Sequence, residues 1–536
     1  MRRTLPPAMC TPPASPAKSV DSNERCLLEV VLRLECITPV IGGGVQSFEP
    51  DIIDIVRVPA IRGQLRYWWR ACQPRISRAG VERMPDADAL FLHEARTWGG
   101  VSVPERGQSV AWKSRVRISV ENVKPGPILP AGRHEVGPDG RIRSLPVWTI
   151  GPTSLGYALF PLQQPREVLR EHEHERRPIP TRQIREKLEF TLRVQLLRMT
   201  EKEREHREDL GEMRTSSDDK EAREREEKEA RARAENNECS QLLAALWALV
   251  HFGGIGARTR RGFGALAASS FTIHHAHKDV SETISAWEKR FVPPDERDVA
   301  SWIEQFYDQA KLHKGSLGGH GLPEWPVLHA ATRKVYPSQK SGLDAQGWLL
   351  EKLQRFRQGV NVGRDPGTGK RAGKSRWPEA DWLKHLVDKE SKRQKKRPHT
   401  WNHPPQPFSN HEDAVAPRAA FGLPIVVSFI DRDDSAANTE LGSTNKGGRW
   451  ASPLLLRPIR CKSGVFVPVA IAFDRRPGRG PLAKMTIFNK KNPDHTLIAS
   501  GFVGARNPIK QYLGDHKGDA IDAFFDFVDD VVEGKR

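Results

Sequence analysis

The stretch Cys239 to Phe252, CSQLLAALWALVHF, constrains this chain most. It is apolar on every side for roughly four helical turns, and a helix of that kind has to be enclosed by protein. It runs into GGIGARTRRGFGAL and then a strand through Phe271. Upstream, Leu27 to Ile41 alternates as a strand and stops at Gly42, Gly43 and Gly44. Ile61 to Gln73 has helical periodicity. Trp112 to Val123 and Leu188 to Leu197 alternate as strands, and an extended run is expected to end over Ala158 to Leu162. Strand, helix, strand, strand, helix, strand is the succession of a ferredoxin-like unit.

One segment stands apart. Glu201 to Glu235 holds 14 acidic and 10 basic residues, with Leu210 and Met213 its only large apolar side chains. It cannot bury a core, so it is a solvated helix laced with i,i+4 ion pairs or a disordered insertion. Beyond the unit, Asp279 to Leu312 reads as mainly helical. Helices follow over Gly347 to Gln358 and Pro378 to Lys392, and strands over Leu423–Ile430, Ala451–Cys461 and Val465–Phe473. Asp519 to Glu533 forms an amphipathic helix with Ile521, Phe524, Phe525, Val528 and Val532 on one face.

Lys and Arg number 85 against 67 Asp and Glu, a net charge of +18 on 536 residues. The charged insertion contributes −4, so the basicity belongs to the rest of the chain. Such a balance points to a polyanionic partner, nucleic acid first, although charge alone does not separate RNA, DNA and an acidic membrane surface. No run of about 18 apolar residues offers a membrane helix. The proline-rich start, MRRTLPPAMCTPPASPAKS, lacks the core of a signal peptide and reads as a disordered tail over residues 1–26. The six cysteines, Cys10, Cys26, Cys36, Cys72, Cys239 and Cys461, are scattered without a CxxC pair. That suits small buried hydrophobes in a reducing cytoplasm.

Two motifs concentrate the arginines. Arg62, Arg66 and Arg70 fall at i, i+4 and i+8 of one helix, a stripe of like charges that a row of phosphates would neutralise. Leu65, Trp68 and Cys72 lie on another face. The second motif frames Arg258, Arg260 and Arg261 with Gly253, Gly254, Gly256, Gly262 and Gly264. Successive N–H groups of such a loop can converge on an anion, and Phe263 could stack on a base. The structural alternatives are a solvated basic face in the first case and a tight helix-to-strand connection, with Phe263 in the core, in the second.

A third basic region, Arg355 to Arg397, has 14 basic and 5 acidic residues. It contains GRDPGTGKR, which fails as a P-loop: five residues separate Gly363 from Gly369, and Arg371 stands where Ser or Thr is needed. His172 and His174, His274, His275 and His277, and Asp431, Asp433 and Asp434 lack metal-motif spacing and read as surface residues. No metal, cofactor or catalytic residue is expected.

Taken together, LECITPVIGGG, VPAIRGQLRYWWRACQ and GGIGARTRRGFGAL resemble the RAMP superfamily of CRISPR-Cas proteins. KSRWPEADWLK and RWASPLLLRPI add a similarity to the subunit-one family of the type III-B Cmr effector complex. The resemblance implies an α+β fold of two ferredoxin-like (RRM-like) RAMP domains with large helical and loop insertions, divided as 27–278 and 279–536. It also implies a non-catalytic subunit at the head of the complex, near the 3′ end of the CRISPR RNA. There it would bind guide and target RNA beside backbone and head RAMP subunits, in the cytoplasm. RNA-facing roles carry over only to Arg62, Arg66, Arg70 and Gly253 through Gly264. The alternative within the superfamily is a metal-independent endoribonuclease that processes guide RNA.

Overall fold

The computed structural model describes residues 25–43, 49–73, 76–78, 81–83, 87–105, 108–136, 142–146, 155–159, 162, 171, 182–200, 203, 220–276, 281–310, 327–328, 331–358, 416–427, 439–443, 449–473, 485–489, 497–499 and 519–535. The 1–24 part of the tail, most of 201–219, the 359–397 basic region with its 378–392 helix, His172, His174, and Asp431, Asp433 and Asp434 lie outside them.

Strand β1 (Cys26–Cys36) alternates buried and half-exposed residues, as a strand with one face on a core must. It pairs antiparallel with β3 (Glu189–Leu197), which pairs with β2 (Val116–Lys124), and on its other edge with β4 (Leu266–Ala276). The sheet order is β4-β1-β3-β2. Register sets Val30 opposite Val194, Leu32 opposite Leu192 and Leu34 opposite Phe190. All six are buried, and a slip of one residue would turn them to the other face. Two helices complete the unit: α1 (Val58–Ala71) between β1 and β2, and α3 (Lys220–His251) between β3 and β4.

Helix α3 is longer than the apolar pattern. Residues 221–229 are largely exposed, and Arg225–Glu229 and Arg231–Glu235 form i,i+4 pairs. The charged segment is therefore a solvated helix over 220–235. From Cys239 onward the helix disappears into the core, and Trp247 is fully buried. Helices α4 (Ser281–Phe291) and α5 (Val299–Gln309) close over it. Trp247 stacks on Phe306 with centroids 3.9 Å apart and planes 10° apart.

Downstream, β5 (Thr332–Val335), β6 (Leu454–Arg460) and β7 (Phe466–Ala472) form an antiparallel sheet of order β5-β7-β6. Four short strands, Ile425–Val427, Thr439–Ser443, Met485–Asn489 and Leu497–Ala499, form another. Among the described residues neither repeats the order of the first sheet. Helices α6 (Gly342–Gln358) and α7 (Ala520–Val532) pack through Phe356 and Phe524, 5.6 Å apart. Asp519 caps α7 in a capping box, and Ile521, Phe524, Phe525 and Val528 are buried while Val532 is 43% exposed. One hydrophobic cluster runs from Leu27 through α3 to Leu455 and Val469, so β6 and β7 share the core of the first sheet.

One local expectation is corrected. The run ending at Ala158–Leu162 is a helical turn, Leu155–Ala158. Leu155, Ala158, Leu159 and Leu162 are all buried, and their spacing of three and four is helical. The five described cysteines are buried free thiols, as their scatter implied.

His251, at the end of α3, is buried between Trp247 and Trp302, 4.5 and 4.7 Å away by ring centroids. Burial, with the Arg457 cation beside it, holds its pKa well below the ordinary 6.5. Between that depressed value and 6.5 the unfolded chain binds a proton that the native state refuses, so stability falls as pH drops below about 6.5. Urea unfolding midpoints measured from pH 7.5 down to 5 are expected to fall, and to fall less in His251→Phe.

Candidate nucleic-acid interface

Helix α1 begins at Val58 with Pro59 in its first turn, where a missing N–H costs nothing. Ile61, Leu65, Trp68 and Trp69 bury one side of it. The arginine stripe lies half-buried along the other. Its repulsion is relieved from within: Glu94, on α2 (Ala87–Trp98), is 2% exposed and receives Arg66 Nε at 2.5 Å and Arg70 Nη1 at 2.9 Å. One carboxylate serves two guanidiniums, which leaves one positive charge over. Arg62 has no hydrogen bond or ion pair among the described residues.

The Gly/Arg loop is built tightly. Gly253 ends α3 where any Cβ would lie 2.5 Å from Trp68 Nε1 and 2.6 Å from the Leu249 carbonyl oxygen, so α1 and α3 approach only because it is glycine. Gly264 has φ +60, and a Cβ there would stand 1.9 Å from the Ile255 carbonyl oxygen. Gly256 and Gly262 also have positive φ, and a Cβ on Gly254 would meet the Gly264 oxygen at 2.7 Å.

Several N–H groups of the loop and of the residue after it are bonded inside the chain. Ile255 donates to Gly264 O, Ala257 to Ile41 O, Gly264 to Pro39 O and Ala265 to Thr38 Oγ1, at 2.7 to 3.0 Å. Thr38 Oγ1 donates in turn to Gly262 O at 2.6 Å.

Its side chains also turn inward. Phe263 is 0% exposed and belongs to the second hydrophobic cluster, so it offers no face to a base; the core alternative holds. Arg260 donates to Ser452 O and, at 3.4 Å, to Tyr67 OH. Arg261 donates to Leu454 O at 2.8 Å, and burial pushes its pKa down to about 9. Arg258 is half-buried in a left-handed conformation with φ +62, its pKa lowered by burial. Tyr67 stands between α1 and the loop, close enough to Arg260 and Arg70 for both to oppose the burial that raises its pKa. The structure thus joins the two arginine motifs through Tyr67, but the loop's arginines chiefly clasp the segment leading into β6.

Sequence reasoning missed four of these partners: Thr38, Tyr67, Glu94 and Arg457. The last had a signal, a cation within the apolar run LLLRPI. Arg457 is fully buried and donates to Val250 O at 2.6 Å, His251 O at 3.0 Å and Leu266 O at 2.9 Å. It caps the open carboxyl end of α3, where a cation is favourable. No grouping of His, Cys, Asp or Glu among the described residues could hold a metal ion. No described helix is long and apolar enough to cross a membrane.

The RAMP superfamily model matches residues 33–267. Comparison with curated proteins finds no match. Among solved structures, apo Cmr1 from Pyrococcus furiosus is similar at 14% identity and TM-score 0.36, over 84% of this chain and 89% of that one. A chain of the type III-B Cmr-beta complex bound to cognate target RNA is similar at 12% identity and TM-score 0.40, over 84% and 95%. A second structure of that complex, with target RNA, AMPPnP and single-stranded DNA, gives 12% identity and 0.40 over 95% and 100%. The stretch that matches the RAMP superfamily model, residues 33–267, holds the arginine stripe and the Gly/Arg loop alike.

Proposed function

We propose that the chain is a non-catalytic RNA-binding subunit of a type III-B CRISPR-Cas (Cmr) interference complex, aiding guide and target RNA binding beside other Cmr subunits. The observation that carries this is the arginine stripe of α1 inside the stretch that matches the RAMP superfamily model: Arg66 and Arg70 share the single carboxylate of Glu94, and Arg62 is left without one among the described residues. The motifs KSRWPEADWLK and RWASPLLLRPI support the narrower Cmr reading. Contacts to phosphate supply affinity without sequence readout, which suits a complex whose specificity comes from guide pairing. Arg62 is the first residue to bet on. The Gly/Arg loop keeps the stripe's helix and the β6 segment in register rather than gripping RNA itself.

The non-catalytic reading is supported by two features. Arg260 and Arg261 are engaged by main-chain carbonyls, and His251 is enclosed by aromatic rings rather than offered as a surface acid. Purified protein incubated with repeat-containing guide RNA in EDTA is expected to shift the RNA on a native gel and leave it intact. Discrete cleavage products would make the protein a metal-independent endoribonuclease instead.

A further inference from the structure

Beside the stripe lies a cleft of about 620 Å³ that neither motif explains. It opens between the end of α2 and the hairpin of strands Gly100–Glu105 and Gln108–Trp112. Phe91, Trp98 and Trp112 line it, with Arg66, Lys113 and Ser114 at its margins. We propose that this cleft receives one unpaired nucleotide of a single-stranded RNA, the base against the half-buried Phe91 with the buried Trp98 and Trp112 backing the floor, and the adjoining phosphates on Arg66 and Lys113. This rests on the RNA-binding reading and adds a place where a base, and not only its backbone, is held.

Three observations favour that occupant. The size falls within the ~300–1,000 Å³ of small-molecule sites, and the lining is mostly apolar with a few polar groups, as a flat π-face requires. The charge is complementary: Glu94 fixes the Arg66 guanidinium while leaving it 30% exposed, and Lys113 is exposed without an ion pair among the described residues. The walls are preformed. Arg115, immediately after the hairpin, donates its N–H to Thr97 O at 3.0 Å. Its buried guanidinium grips Glu238 on α3 through two hydrogen bonds of 2.7 and 2.9 Å. The hairpin is thereby tied to both α2 and α3, so little ordering remains to oppose binding.

The test uses the full chain and a single-stranded oligouridylate carrying 4-thiouridine. Irradiation and peptide mapping are expected to place crosslinks between Phe91 and Ser114. Ala111→Trp, at an exposed position on the lining, should remove those crosslinks and weaken binding by about 5-fold or more, the loss of one stacked base. Lys113→Ala, which touches no core, should weaken binding and reduce the salt slope by about 0.7, one phosphate contact on a single strand. It carries the test if Ala111→Trp unfolds. Crosslinks confined to other parts of the chain, with Lys113→Ala binding as the parent does, would overturn the cleft and leave the RNA-binding reading standing. No binding of RNA by the parent protein would overturn both.

Discussion

Arg457→Met is expected to lower the free energy of unfolding by roughly 3 kcal/mol or more. The methionine fills the space, so little of the loss comes from a cavity. What is lost is the set of hydrogen bonds to Val250 O, His251 O and Leu266 O, all in a place that water does not reach. Each buried carbonyl left without a donor costs about 1–3 kcal/mol. Against this stands the relief of the buried charge itself, whose desolvation pushes the Arg457 pKa down to about 9. The carbonyls win because two of them end α3 and present the negative pole of its dipole to the guanidinium. Arg457→Lys should recover only part of the stability, because an ammonium cannot fork between Val250 O, His251 O and Leu266 O. Urea denaturation followed by circular dichroism measures both; a methionine variant as stable as the parent would show that the carbonyls find other donors.

Phe263→Ala is expected to cost about 3–5 kcal/mol, as aromatic truncations in cores do. Phe263 is fully buried in a cluster with members as far apart in sequence as Ile41, Leu349, Leu456 and Phe524. At a temperature where the variant is folded, its affinity for RNA should match the parent's. Unchanged stability with weakened RNA binding would return Phe263 to the role of a base-stacking residue.

These two residues show where the sequence was readable and where it was not. Cys239 to Phe252 identifies its own burial, since only an enclosed helix is apolar all round. The glycines after it mark a turn, and the turn is there. Its purpose is not visible locally: Arg260 and Arg261 find acceptors at Ser452 and Leu454, about 190 positions away, and no local pattern records such a pairing. The α1 stripe was legible for the opposite reason, because i,i+4 spacing is a local property. Its buried counter-charge at Glu94 sits on the next helix and was not. Arginines in a glycine-rich loop look alike whether they face phosphate or carbonyl oxygen, since both are acceptors for the same fork. The succession of strands and helices in the first unit was legible because each element carries its own period; the helical turn at Leu155 was missed because it is too short to show one.

The most direct measurement is the salt dependence of binding to a single-stranded guide RNA, for the parent, Arg62→Ala and Arg260→Ala, each checked for folding. The parent should bind with a steep negative slope of log affinity against log salt. Arg62→Ala should flatten that slope by about 0.7 with no loss of stability. Arg260→Ala should lose stability and keep the slope. A slope unchanged in Arg62→Ala but flattened in Arg260→Ala would contradict this arrangement and move the RNA contact from the helix to the loop.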